Sequence, residues 1–284
     1  MEAFPDSVLF STEPLGWQHV NAQRRIRPQG GVTDLPAGMN EHVVLVWHGP
    51  THVSSLLGGT RQEANASTGP TQFVPARTPI LWERRSPFHF TKVVLGSAYV
   101  DELMLDLFDR DPSKNPLVPR PIYNDAILRA RAHSLVSHAL SDDPANQLVV
   151  DEVAQQLGVH LIATYGGLVI RGRCEQQLSP AQLSNVIDFV EANLGNAVTL
   201  DALAGVACVS KYHFLRRFRL TTGMTPHQFV IQRRISRAKE FVLSGRLTMV
   251  QIAHLTGFSD QAHFTRVFKK ALGTTPKSFQ GRAQ

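Results

Sequence analysis

The feature that most limits how this chain can fold is an internal repeat in its last hundred residues. Thr199, Leu203, Ala204 and Ser210 are matched 49 residues later by Thr248, Ile252, Ala253 and Ser259. One residue is then inserted. His213, Phe214, Arg216 and Phe218 are matched at an offset of 50 by His263, Phe264, Arg266 and Phe268. Gly223, Thr225, Pro226 and Phe229 are matched at the same offset by Gly273, Thr275, Pro276 and Phe279. A solenoid usually needs three or more units, and here there are two.

Each copy reads as a short helix, a tight turn and a second helix, the helix-turn-helix pattern. In the first, Thr199 caps a helix carrying Leu200, Leu203 and Ala204, and Ala207–Val209 makes the turn. Ser210 then caps a helix whose apolar face is Phe214, Phe218 and part of Leu215. In the second, Thr248-Met249-Val250-Gln251 is a capping box and Gly257-Phe258 the turn. Ser259 is expected to cap the next helix, with Phe264, Val267 and Phe268 facing inward. Ser179-Pro180-Ala181-Gln182 opens a preceding helix with an apolar stripe from Leu183 to Leu194, and Gly195 stops it. Thr225-Pro226-His227-Gln228 repeats that device and opens a longer helix reaching about Leu243.

Charge is concentrated in the same region. From Leu178 onward there are 14 Lys and Arg against 5 Asp and Glu, a net of +9. The remainder holds 15 against 18, a net of −3, and the chain totals +6. A strongly basic back beside a slightly acidic front suits one domain that meets a polyanion. The outward faces of the second helices offer Lys211, Tyr212, Arg216, Arg217 and Arg219 in one copy. The other copy offers Gln261, His263, Thr265, Arg266, Lys269 and Lys270. Arg holds guanine bidentately, Gln holds adenine, and Thr meets a base or a phosphate. The remaining Lys and Arg would neutralise phosphates.

Residues 20–96 read as strands: His42–Trp47, Val53–Leu57, Thr71–Val74, Ile80–Trp82 and Phe88–Leu95 alternate with Gly and Pro every 8–12 residues or so. That spacing predicts an antiparallel sandwich or barrel. Helical spacing follows over Ser97–Leu107, Asp125–Leu140 and Asn146–Tyr165. The apolar stripe of the last is either core or a dimer seam. Trp47, Trp82, Phe88 and Phe90 either line an apolar pocket or are plain core. The expected class is α+β: a β-rich part at 1–96, a helical part at 97–170, a polar linker at 171–178 and an all-α part at 179–284.

The run from Gly257 through Ser259-Asp260-Gln261-Ala262-His263-Phe264-Thr265-Arg266 to Lys270, followed by Gly273-Thr274-Thr275-Pro276, resembles the signature of the AraC/XylS family of bacterial regulators. The resemblance covers roughly Leu178 to Gln280. It implies two helix-turn-helix subdomains joined by the long helix, their recognition helices in successive major-groove segments ~34 Å apart. By position, the family's base readers fall at Tyr212, Leu215 and Arg216, and at Gln261, Ala262, His263, Thr265 and Arg266. Leu215 and Ala262 depart from the polar residues often seen there and could read only a thymine methyl or shape. The resemblance further implies a cupin-like β-barrel that senses a small-molecule effector, dimerising helices behind it, and a homodimer on double-stranded DNA. Contact with RNA polymerase, and activation more often than repression, come with it.

Other classes are argued against. His42, His48, His52 and His89 lack the paired HxH and spaced Glu of a cupin metal site, so no metal, no cofactor and no enzymatic activity are expected. Cys174 and Cys208 are too few and too far apart for a zinc cluster, a repair thiol with its zinc, or a disulfide framework. The first residues lack the basic and apolar regions of a signal peptide, and no run approaches the ~20 apolar residues of a membrane span. A cytoplasmic protein is expected. Against an architectural DNA binder, the two candidate recognition helices differ from each other.

Overall fold

The computed structural model describes residues 7–28, 30–49, 51–66, 69–84, 87–119, 124–140, 146–167 and 177–281. The chain divides into two compact units: residues 1–140 with 152–171, and residues 141–151 with 172–284. The class is α+β: among the described residues the first unit holds antiparallel sheets and helices and the second holds helices alone.

In the first unit the strands are β1 (Ser7–Ser11), β2 (Val20–Arg27), β3 (Gly31–Leu35), β4 (His42–His48), β5 (Thr51–Leu57), β6 (Thr60–Ala66), β7 (Thr71–Val74), β8 (Ile80–Arg84) and β9 (Phe88–Leu95). They form one sheet in the order β1-β2-β9-β4-β7 and another in the order β3-β8-β5-β6. The apolar run His42–Trp47 is buried throughout because it is a strand covered on both faces. Val43, Leu45 and Trp47 join Val53, Ile80, Trp82, Phe88 and Phe90 in one apolar cluster. The alternate residues Val44, Val46 and His48 point to the opposite face. There helix α2 packs on β2 and β4. Gln72 of β7 ties the two sheets: it donates to Ser55 Oγ at 2.9 Å and accepts from Trp82 Nε1 at 2.9 Å.

Helices α1 (Ser97–Phe108), α2 (Ala126–Ala139) and α3 (Asn146–Tyr165) follow. Asp125 caps α2 through the backbone N–H groups of Ile127 and Leu128, at 2.9 and 3.0 Å. Its second oxygen lies 2.8 Å from His160 Nε2. Val153, Leu157 and Leu161 of α3 are buried, so the stripe left open between core and dimer seam is core. Residues 171–176 of the expected linker lie outside the described residues.

The second unit contains α4 (Pro180–Ala192), α5 (Leu200–Val206), α6 (Lys211–Thr222), α7 (Pro226–Ser244), α8 (Met249–Leu255), α9 (Gln261–Leu272) and α10 (Pro276–Gly281). The three boxes read from sequence, Ser179/Gln182, Thr225/Gln228 and Thr248/Gln251, each close reciprocally. Each copy of the repeat builds its own core. Val186, Leu203, Ala204, Phe214, Phe218 and Phe229 share the first. Ile252, Ala253, Phe258, Phe264 and Phe268 share the second. Helix α7 serves both, with Phe229 and Val230 in the first and Ile235, Ala238 and Val242 in the second.

One expectation is corrected. Ser210 caps α6, accepting from His213 N, but Ser259 does not cap α9. Asp260, the residue inserted between the halves of the second copy, takes that place and accepts from His263 N at 2.7 Å. A carboxylate at a helix N-terminus also meets the positive end of the helix dipole. The bond from the His263 amide, joined by the Ser259 hydroxyl, holds the Asp260 carboxyl below its ordinary range.

Candidate nucleic-acid interface

Helix α9 presents the cleaner polar face. Gln261, Ala262, Arg266, Lys269 and Lys270 are exposed and Thr265 is half-buried. Phe264 and Phe268, on the other side, are fully buried. No ion pair engages Arg266, Lys269 or Lys270 among the described residues. These charges therefore face solvent without a protein counterion, which leaves them available to phosphate.

Helix α6 is more enclosed. Arg216 is half-buried and Arg219 exposed, while Lys211 at its start is held by Asp201 at 3.1 Å. Leu215, expected partly on the apolar face and, by family position, among the base readers, is 8% exposed and packs in the first subdomain's cluster with Phe214 and Phe218. The cluster also takes in Leu148, from the 141–151 stretch that belongs to this unit. Tyr212 and His263, at 7% and 8% exposed, are likewise buried rather than outward. His263 meets the Phe258 ring edge-on, with centroids 5.4 Å apart, which places it against the second core.

What fixes the two subdomains to each other is a residue that sequence reading passed over. Arg234, on α7, is 1% exposed. Its Nη1 donates to Gly257 O at 2.6 Å and its Nη2 to Asn196 O at 2.8 Å. The first carbonyl is in the α8–α9 turn and the second in the α4–α5 loop, so one guanidinium ties the first subdomain to the second. Val230 and Ala238, four residues to either side and both buried, were the available signal.

In the first unit, Trp47, Trp82, Phe88 and Phe90 do converge. All four line one cavity of about 150 Å³ and all are at most 6% exposed, so they are core and pocket wall together. The Arg84 guanidinium lies over the Trp82 and Phe88 rings, 5.3 and 5.0 Å from their centroids. His42 is a structural acceptor, taking the N–H of Ala76 at 3.1 Å, and burial pushes its pKa down to about 4. Among the described residues no group of three or more His, Cys, Asp or Glu is placed to hold a metal ion. None of their helices is long and apolar enough to cross a membrane.

The family model described as "Helix-turn-helix domain" matches residues 203–282. The probable transcription factor PqrA of Proteus vulgaris is 32% identical over 100 residues, which is 34% of this chain and 82% of that protein. The chain belongs to the AraC family. As an AraC-family protein it is a DNA-binding transcriptional regulator, and α6 and α9 are the second helices of its two helix-turn-helix units. The probable transcriptional regulator LumQ of Photobacterium leiognathi is 27% identical over 106 residues, 37% of this chain and 43% of that protein. The similarity to the HTH-type transcriptional activator RhaS of Shigella sonnei is 23% over 274 residues, 92% of this chain and 94% of that protein. This AraC-family chain therefore resembles RhaS along almost its whole length.

Proposed function

We propose that this chain is an effector-responsive transcription activator, dimeric on double-stranded DNA, in which α9 carries most of the sequence discrimination. The observation that carries the reading is the polar face of α9, where Gln261, Arg266, Lys269 and Lys270 are exposed and the three cations engage no ion pair among the described residues. Gln261, Thr265 and Arg266 read base edges, and Lys269 and Lys270 neutralise phosphates. On α6, Arg216 and Arg219 supply the second set of contacts, and Lys211 is released from Asp201 to join them. Activation is supported by the similarity to RhaS, whose name is that of an activator. In this reading residues 1–96 sense a small molecule through the Trp47, Trp82, Phe88 and Phe90 cavity. Residues 97–170 carry dimerisation, 171–178 link, and 179–284 bind DNA and meet RNA polymerase. No catalysis is involved.

The test is selection of bound fragments from sheared genomic DNA by the purified full chain, followed by sequencing. The expected result is a bipartite site with half-elements about one helical turn, roughly 10 base pairs, apart. Broad recovery without a motif would overturn sequence-specific recognition. On a selected site, Arg266→Ala is expected to cost about 1–3 kcal/mol and to relax preference at one base pair. A uniform loss across all sequences would remove Arg266 from the base readers. Lys270→Ala is expected to weaken every sequence alike and to flatten the log–log salt dependence by about one unit. An unchanged slope in a salt titration would show that Lys270 meets no phosphate.

A further inference from the structure

A second cavity in the first unit is larger than the aromatic one. It is a cleft of about 520 Å³ on the opposite face of the β1-β2-β9-β4-β7 sheet, closed on one side by α2. Its floor is fixed by strand register. Arg24 of β2 and Val46 of β4 both pair with Thr91 of β9, so the three stand in line across adjacent strands. His48, two residues beyond Val46, shares that face and its Nε2 lies 2.7 Å from Thr91 Oγ1. Arg129, His133 and Val136 line the cleft from α2.

The charge of this lining is one-sided. It contains two arginines and two histidines and no acidic residue. Arg24 Nε is buried and has no hydrogen-bond partner among the described residues. Arg129 donates from its Nη1 to neutral oxygens, Asn124 Oδ1 and Gly69 O, and pairs with no carboxylate among the described residues. His48 registers the same excess: burial, then the positive charges of Arg24, His89 and His133, hold its imidazole below the ordinary value. A buried donor without an acceptor is costly, and a cleft that gathers cations without a counterion is at its most stable when an anion enters. The remaining walls are apolar, and the volume lies within the ~300–1,000 Å³ of small-molecule pockets.

We propose that this cleft binds a small organic anion, with its acidic group between Arg24 and Arg129 and its carbon skeleton against Val46 and Val136. The inference rests on the reading that the β-rich part senses a small molecule, and moves the site from the aromatic cavity to the other face of the sheet. Planar guanidinium groups suit a carboxylate or a phosphate monoester through paired N–H···O bonds.

The experiment is calorimetric titration and thermal unfolding of the full chain with a fixed panel at matched ionic strength. The probes are propionate, butyrate, the dicarboxylates from malonate to adipate, phenyl phosphate and inorganic phosphate. The methyl esters of the carboxylates are the neutral controls. At least one organic anion is expected to bind with a Kd below about 1 mM while its neutral ester does not. Arg24→Gln and Arg129→Gln are each expected to weaken it about tenfold or more, the share of one charge-assisted contact. Arg84→Gln, at the aromatic cavity, is expected to leave it unchanged, and circular dichroism establishes that all variants fold. The carboxylate and phenyl phosphate arms tell the two acid types apart.

Equal binding of an ester, full binding by both the Arg24 and Arg129 variants, or no binding across the panel would each overturn the site. Binding of inorganic phosphate alone would overturn the organic ligand. Loss only in the Arg84 variant would return the ligand to the aromatic cavity, leaving effector sensing intact and this site wrong. Binding at Arg24 and Arg129 with no change in DNA affinity or transcription would leave the site standing and remove the effector role.

Discussion

Gly257→Ala is expected to cost about 3 kcal/mol or more of the stability of the helical unit, read as a lower urea midpoint by circular dichroism. Gly257 sits in the turn between α8 and α9 with φ at +78°. A side chain in that left-handed region costs about 1–2 kcal/mol by itself. The larger part is spatial. A Cβ at this position would stand 2.2 Å from Leu194 O and 2.6 Å from the Arg234 guanidinium carbon. The first obstacle is backbone and cannot rotate aside, and forced overpacking of this kind costs about 1–3 kcal/mol more. The matching turn of the first repeat copy supplies the control. Cys208, 49 residues earlier, also has positive φ, at 54°, yet is exposed. Cys208→Gly is therefore expected to change stability by less than about 1 kcal/mol, since relief of strain and loss of chain stiffness oppose each other. If Gly257→Ala shifts the midpoint no more than Cys208→Gly does, the close approach at Leu194 is not a constraint on this turn.

Arg234→Met is expected to destabilise the same unit by about 2–4 kcal/mol while keeping most of the buried stem volume. The substitution leaves Gly257 O and Asn196 O without their donors, and a buried acceptor so orphaned costs about 1–3 kcal/mol. Loss of the buried charge works the other way, because a desolvated guanidinium is itself expensive. The carbonyls are covalently fixed and keep their need for a donor, so the net effect is destabilising. Arg234→Lys restores a charge without the fork, and is expected to recover only part of the loss. Both variants are measured by urea unfolding and by affinity for a selected DNA site. A methionine variant that unfolds like the parent would show that the guanidinium does not hold the subdomains together.

The helical unit was largely legible because its signals are local. Caps, periodic apolar residues and the offsets of 49 and 50 lie within a few turns of one another, and the three boxes, the long α7 and both second helices follow from them. Failures came where a residue's fate is decided from outside its own helix. Leu215 lies at the edge of the Phe214–Phe218 stripe, and a cluster that reaches Leu148 puts it inside. The inserted Asp260 moved the cap of α9 by one position, which a match of Ser210 to Ser259 does not reveal.

The β-rich part was legible only where strands are apolar. β2 reads VNAQRRIR and β6 reads TRQEANA, and neither shows the continuous apolar run that marks β4. β2 is a strand because β9 supplies a partner for every residue from Val20 to Arg27. The basic cleft was out of reach for the same reason. Arg24, His48, Thr91 and Arg129 span more than a hundred positions, and only pairing register and the docking of α2 bring them to one place.

The Arg234 bridge has a consequence for how the helical unit comes apart. Unravelling the first half would take Asn196 O from the buried guanidinium and unravelling the second would take Gly257 O, so each half loses a buried contact when the other opens. The two halves should exchange their amide hydrogens as one cooperative block, with the slowest amides of α5 and α8 opening at a common free energy. Such a block holds its two reading heads at a set spacing. On DNA it would act as a gauge of distance between half-elements as much as a reader of their letters.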